Sequence, residues 1–306
     1  MNQANRDENE RWPADGSVSG ESPKDGEQPS NQEQSGGEGP QKGTRYSAAE
    51  IHENVLEAAE EELGRPFAEL AMSGLASGLL IGFSFLAAAL AESLLPERLH
   101  AVGSAIGYPL GFVFVVMARH QLFTENTLEP VIPLLEHRSA KALRKVLRLW
   151  AIVLPANLVG AAIFGFVVAR TNLLEPSVHD MLFKVSEKSL SGGFLLVFYR
   201  GIWAGWLVAL MAWLVASTHE TIAQIAVVWL TTAPIGAFGF KHAIVGAVEG
   251  FFAVVTHHMS LGAMLGSFEI PALLGNILGG VVLVALVNHG QVGESGGSSA
   301  KPESLD

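Results

Sequence analysis

The chain has 306 residues, 49% of them hydrophobic and only 16% charged, with a positive mean hydropathy; this excludes one or two ordinary soluble domains and points to a bilayer as the solvent. It contains no cysteine, so disulfides, thiolate metal sites and cysteine nucleophiles are excluded. The net charge of −11 is concentrated at one end: residues 1–64 carry five Lys or Arg against fifteen Asp or Glu, and the remainder is close to neutral.

Residues 1–46 open the chain as an acidic segment. The stretch Gly16 to Gly43, rich in Gly, Ser, Pro and Gln, cannot bury enough apolar surface to offset its conformational entropy and predicts a disordered tail. It lacks the basic start and continuous apolar run of a secretory signal, so the first crossing segment is expected to be retained as its own insertion signal. Ser47 with Glu50 forms a capping-box pattern, and Ile51, Val55, Leu56, Ala59 and Leu63 recur at helical spacing. Residues 47–64 therefore predict a short amphipathic helix, lying on the cytoplasmic face or acting as a regulatory plug.

Uncharged stretches near the roughly 20 residues that span a hydrocarbon core follow: Leu70 to Ala91, Ala101 to Ala118, Leu149 to Ala169, Gly201 to Thr218, Thr221 to Phe240, and Ile270 to Val287. They predict an all-α membrane domain of six crossings over residues 65–290, with a disordered tail at 291–306. The connection after the second crossing carries Arg138, Lys141, Arg144, Lys145 and Arg148. By the positive-inside rule that connection is cytoplasmic, and so are both termini.

Two segments carry polar insertions flanked by apolar chain. After Ala118 the chain reads Arg119-His120-Gln121-Leu122-Phe123-Thr124-Glu125-Asn126-Thr127 and then runs apolar again; after Phe240 it reads Lys241-His242 and then Ala243 to Phe252, interrupted by Glu249. Broken helices at matching places in two three-helix halves point to a midplane transport site built on inverted repeats. Backbone leaves the helical ladder at that depth only where it is buried in protein or lines a wet cavity.

At these residues the chain resembles the formate/nitrite transporter family. The match is carried by Leu122-Phe123-Thr124, Gly239-Phe240-Lys241-His242, Asn157-Leu158-Val159-Gly160-Ala161 and Gly275-Asn276-Ile277-Leu278-Gly279-Gly280, in order across residues 65 to 290. The acidic tail, together with Met117-Ala118-Arg119 and Gln121-Leu122-Phe123-Thr124-Glu125-Asn126-Thr127, looks most like a poorly characterised bacterial branch of that family. The resemblance implies an inner-membrane homopentamer of aquaporin-like protomers, each with a pore for formate, nitrite, hydrosulfide or similar species. Thr124 matches the family's threonine in the first break, and His242 its central histidine. Leu122 and Phe123 correspond to the cytoplasmic constriction, with Ile235 standing where the family often has phenylalanine, and Tyr108 and Phe112 correspond to the periplasmic constriction. Asn157 and Asn276, each followed by small residues, are expected to mediate helix packing.

The chain also departs from the family. Gly246 and Gly205 stand where the transporters have asparagines, and the family's periplasmic lysine has Lys188 and Lys184 as its nearest counterparts, with Arg200 deeper. Arg119 and Glu249 are extra intramembrane charges, expected to pair with each other or with a neighbouring charge.

The expected chemistry follows from desolvation. A small anion facing a pore of Leu, Phe and Ile is stopped unless a proton neutralises it, and histidine titrates near neutrality. His242 is therefore expected to exchange that proton while Thr124 orients the ring or the permeant. His120 is a weaker choice because Arg119 adjoins it. The alternatives are an aquaporin-like channel for neutral solutes, although no Asn-Pro-Ala motif occurs, and a non-conducting sensor or scaffold that binds partners through the acidic tail. No enzyme, cofactor or metal site is expected, since His257-His258, His120 and Glu249 lack HExxH spacing. The acidic tail also argues against nucleic acid. The expected partners are small anions or weak acids, the lipid bilayer and further copies of the chain.

Overall fold

The computed structural model describes residues 46–171 and 173–282; the expected tails at 1–46 and 291–306 fall outside these residues, apart from Tyr46. Helix α1 (Ala48–Gly64) is closed by a capping box in which Glu50 N–H donates to Ser47 Oγ and Ser47 N–H to the Glu50 carboxylate. Six candidate crossings follow: Phe67–Ser93, Glu97–Met117, Ala140–Arg170, Phe194–Val215, Thr221–Phe238 and Leu261–Gly280. The described residues contain no strand.

The crossings differ from the expected stretches in physical detail. The first is divided at Ile81 into α2 (Phe67–Leu80) and α3 (Gly82–Ser93). The second comprises α4 (His100–Gly107) and α5 (Pro109–Met117), divided where Pro109 supplies no N–H to the ladder. After it, α6 (Val131–His137) leads to α7 (Ala140–Arg170), which begins inside the basic cluster, so that Lys141 to Arg148 occupy its first turns. Helix α8 (Pro176–Leu190) then packs on α3, a feature that crossing-length hydropathy does not register. Helices α9 (Phe194–Val215), α10 (Thr221–Phe238) and α11 (Ala243–Val255) follow. The last crossing starts at Leu261 rather than Ile270, running from α12 (Leu261–Ala263) through a π-helical turn (Met264–Glu269) into α13 (Ile270–Gly280).

The second and fifth crossings break, and both breaks are built alike. Helix α10 ends at Gly239 in the left-handed region, φ 65°, with Phe240 N–H donating to Ile235 O; this six-to-one bond is the Schellman closure. Helix α5 ends with Arg119 left-handed at φ 53° and His120 N–H donating to Val115 O. Glycine tolerates that backbone freely and arginine does not.

A buried asparagine then holds each break. Asn157 accepts from Phe123 N–H at 2.8 Å and donates to Gln121 O at 2.9 Å and Gly74 O at 2.8 Å. Asn276 accepts from Ala243 N–H at 2.9 Å and donates to Lys241 O at 2.8 Å and Gly201 O at 2.9 Å. The two sets correspond bond for bond, so the chain carries an internal repeat in which Leu122 and His242 occupy the same place. Glycines let the asparagines approach: a Cβ on Gly78 would lie 2.1 Å from Asn157 O, and one on Gly205 would lie 2.2 Å from Asn276 O.

Asn157→Ala and Asn276→Ala each strip three partners from buried groups, at about 1–3 kcal/mol per group left unsatisfied. Both variants should melt well below the parent protein in detergent. Gly205→Ala should do the same by forcing α9 off α13. An unchanged melting midpoint for either asparagine variant would show that the breaks hold themselves.

Candidate functional site

Two cavities lie at opposite ends of α9. The first, about 280 Å³, sits under α1 and is lined by Glu62, Arg65, Arg119, His120, Gln121 and Glu129 among others, with Ala212 to Thr218 at the end of α9. Helix α1 is fastened over it by Gln121 Nε2 donating to Glu62 at 2.5 Å and Asn54 donating to Ala216 O at 3.2 Å. Two side-chain hydrogen bonds add to this fastening, His52 with Glu136 at 2.9 Å and His137 with Glu60 at 3.0 Å. The second cavity, about 160 Å³, is lined by Glu92, Tyr108, Arg200, Lys241, His242 and Glu249, with Ile235 on its wall.

The two breaks meet at a hydrogen bond. His242 is the N-cap of α11, and its Nδ1 accepts from Val245 N–H at 3.1 Å while its Nε2 lies 2.8 Å from Thr124 Oγ1. An Nδ1 that accepts carries no proton, so Nε2–H donates to the threonine, whose own hydrogen stays available for a second partner. Phe112 packs edge-on to the imidazole at a centroid distance of 4.9 Å, and Tyr108 packs on Phe112 at 5.6 Å. Thr124, Leu122 and Phe112 are fully buried.

Thr124, His242, Phe112 and Tyr108 thus form one continuous group. Leu122 lies at the first break beside them, while Phe123 turns onto Trp150 with ring centroids 5.6 Å apart. Ile235 does not join Leu122 and Phe123; it lines the second cavity with Tyr108 because it lies near the end of α10 that faces away from α1. Arg119 and Glu249 do not pair. Arg119 opens into the first cavity and Glu249 into the second, so the expected bridge would have to cross the His242 site. The buried cation near Glu249 is Lys241, whose Nζ donates to the carbonyls of Ser189 and Lys188. Lys188 lines the same cavity at the end of α8. His120 faces the first cavity, its Nδ1 3.4 Å from Ser73 Oγ.

Gly246 and Gly205 both sit where a side chain would clash. A Cβ on Gly246 would lie 2.1 Å from the ring of Phe268, and Gly205 is closed by the Asn276 backbone. Small neighbours in sequence assign Asn157 and Asn276 to helix packing and give no hint of their bonds to the breaks. The signal that could have found those bonds is a matched asparagine in each half, one crossing after each polar insertion.

Residues 49–290 match the family model described as formate/nitrite transporter. The inner membrane protein YfdC of Escherichia coli (strain K12) is 31% identical over 261 residues, covering 84% of this chain and 82% of that protein. The uncharacterized transporter YrhG of Bacillus subtilis (strain 168) is 27% identical over 248 residues, covering 78% and 90%. Among solved structures, a pentameric formate channel with formate bound shares the fold with a TM-score of 0.62 at 22% identity, over 77% of this chain and 98% of that one.

Burial raises the Glu62 carboxyl above its ordinary range, against the lowering influence of Gln121 and Arg65, with Glu129 and Glu61 beside it. A carboxyl whose docked pKa exceeds its undocked value stabilises docking at low pH and loses that contribution as pH rises through the docked value. Hydrogen exchange of α1 amides should therefore quicken several-fold between mildly acidic and mildly alkaline pH, beyond the intrinsic exchange rate. Glu62→Gln should flatten that dependence; an equally steep profile in the variant would exclude Glu62 as its origin.

Proposed function

The chain belongs to the formate/nitrite transporter family, whose members are transporters and channels rather than enzymes, and from that premise we propose that it passes small monovalent anions or their conjugate weak acids, with proton exchange at His242. The observation that carries this reading is the 2.8 Å contact between Thr124 and His242, where two broken helices meet among apolar side chains.

The ring is set up to exchange a proton at Nδ1. Thr124 holds Nε2–H throughout, which fixes the tautomer. A proton arriving at Nδ1 displaces the Val245 cap, at about 1 kcal/mol for a lost N-cap. An anion in the second cavity offsets that cost by pairing with the imidazolium. It then takes the Nδ1 proton and leaves as a neutral acid able to pass Phe112 and Leu122, and Val245 N–H returns to the freed nitrogen. The permeant class is that of formate and nitrite.

In the proposed arrangement the α1 face and both termini are cytoplasmic, supported by the basic turns at Lys141 to Arg148. The membrane is the bacterial inner membrane, where the E. coli relative is placed by name. The assembly is a homopentamer with one pore per protomer, supported by the pentameric formate channel of the same fold.

In proteoliposomes, His242→Asn should remove the pH dependence of formate and nitrite flux, while His120→Ala should leave it. An unchanged pH profile in His242→Asn would make the histidine structural, and parent protein that carries neither anion would end the transport reading. Reporter fusions after Pro96 and Thr171 should register the periplasm, and the native mass in detergent should be five chains. A cytoplasmic signal at either site would reverse the orientation, and a stable monomer or dimer would overturn the pentamer.

A further inference from the structure

Glu249 is 4% exposed, and its Oε2 has no hydrogen-bond partner among the described residues. Burying a carboxyl without satisfying it is unfavourable, so a position that keeps one has a use for its proton or its charge. The carboxyl lines the 160 Å³ cavity that His242 also lines. Its place on α11 is seven residues after His242, two turns along the same face, with Gly246 between them at the first turn. Gly246 lines the cavity too and presents no side chain, since Phe268 occupies the space that a Cβ would need. The carboxyl and imidazole positions are thus about 10 Å apart along the helix by its rise, and both open into the one cavity. At roughly 30 Å³ per water, the cavity has room for about five.

We propose that Glu249 is the proton store of the second cavity, reloading His242 between permeants. This rests on the proton exchange at His242 argued above. The Glu249 O–H bond breaks and, through cavity water, an Nδ1–H bond forms on the imidazole as the Val245 cap is released. The permeant anion then takes that proton, and the Glu249 carboxylate regains one from water at the cavity mouth. The charged and polar groups around Glu249 fit the cycle. Lys241 at the start of its own helix stabilises the carboxylate left behind, and Ser189 stands beside it. Lys188 on α8, Arg200 on α9, Glu92 on α3, Ser104 on α4 and Tyr108 complete the polar wall. Glu92 is engaged by Ser104 at 2.5 Å and by His100 at 3.4 Å, which leaves Glu249 as the carboxyl with an open oxygen. Helices α7 and α13 and the π-helical turn also pack on α11 but contribute nothing to this lining, and Glu269 on that turn lies outside it.

The test is the pH profile of formate flux in proteoliposomes of the full chain, comparing parent, Glu249→Gln and His242→Asn. Glu249→Gln should be roughly 10-fold slower or worse near neutral pH, the scale on which a positioned proton donor contributes. It should recover toward the parent rate in acid, where bulk water supplies the proton. His242→Asn should instead be flat. A parent-like profile in Glu249→Gln, or a uniform loss at every pH as a purely structural role predicts, overturns the proton store while leaving the His242 exchange standing. A parent-like profile in His242→Asn overturns both. If Glu249→Gln does not assemble, Glu249→Asp is read instead: slowing near neutrality with recovery in acid supports the store, and no slowing or uniform slowing overturns it.

Discussion

Everything at the centre of this protein depends on two asparagines supplying what a bilayer withholds. A chain that leaves its helix at membrane depth exposes N–H and C=O groups that lipid cannot satisfy. Asn157 and Asn276 answer this with one acceptor and two donors each, directed at the same three backbone positions in the two halves. With those groups satisfied, the breaks are free to face each other and to present side chains rather than bare backbone. Thr124 and His242 are those side chains, and their contact is a product of the clamps as much as of their own chemistry.

The repeat is strict in its backbone and unequal in its side chains. Leu122 and His242 are equivalent by their clamps, yet one is apolar and the other brings ring nitrogens to the junction. A symmetric pair of histidines would place two imidazoles in one dry space; the leucine keeps one face apolar, so that the ring meets a single hydroxyl. The arginine at φ 53° in the first break, where the second has glycine, shows the same tolerance. The fold fixes the path of the chain and leaves the chemistry of each half to vary.

Much of this is legible in the sequence. The polar insertions at Arg119 to Thr127 and at Lys241-His242 locate both breaks, because a polar group inside a membrane-length apolar run is tolerated only where the chain is sheltered by protein or water. Thr124 and His242 are reachable through the motifs around them. What stays hidden depends on distances between segments far apart in the chain. Periodicity ties neither Arg119 to the first cavity nor Glu249 to the second, so these two charges look like partners when each belongs to a different end. Helix α8 escapes a hydropathy reading because it is amphipathic and too short to cross. Ile235 falls beside Leu122 by resemblance, because a motif orders residues along the chain without showing which way a helix end faces.

The contact between Gly246 and Phe268 also bears on which substitutions this chain can accept. Four residues after the histidine this chain has a glycine held against an aromatic ring, at a distance no Cβ tolerates. The two positions are therefore sterically coupled. A larger residue cannot enter position 246 while phenylalanine stays at 268, and shrinking 268 alone opens a void in the core. Either change alone is damaging, so residues 246 and 268 behave as one unit that only a paired exchange can alter.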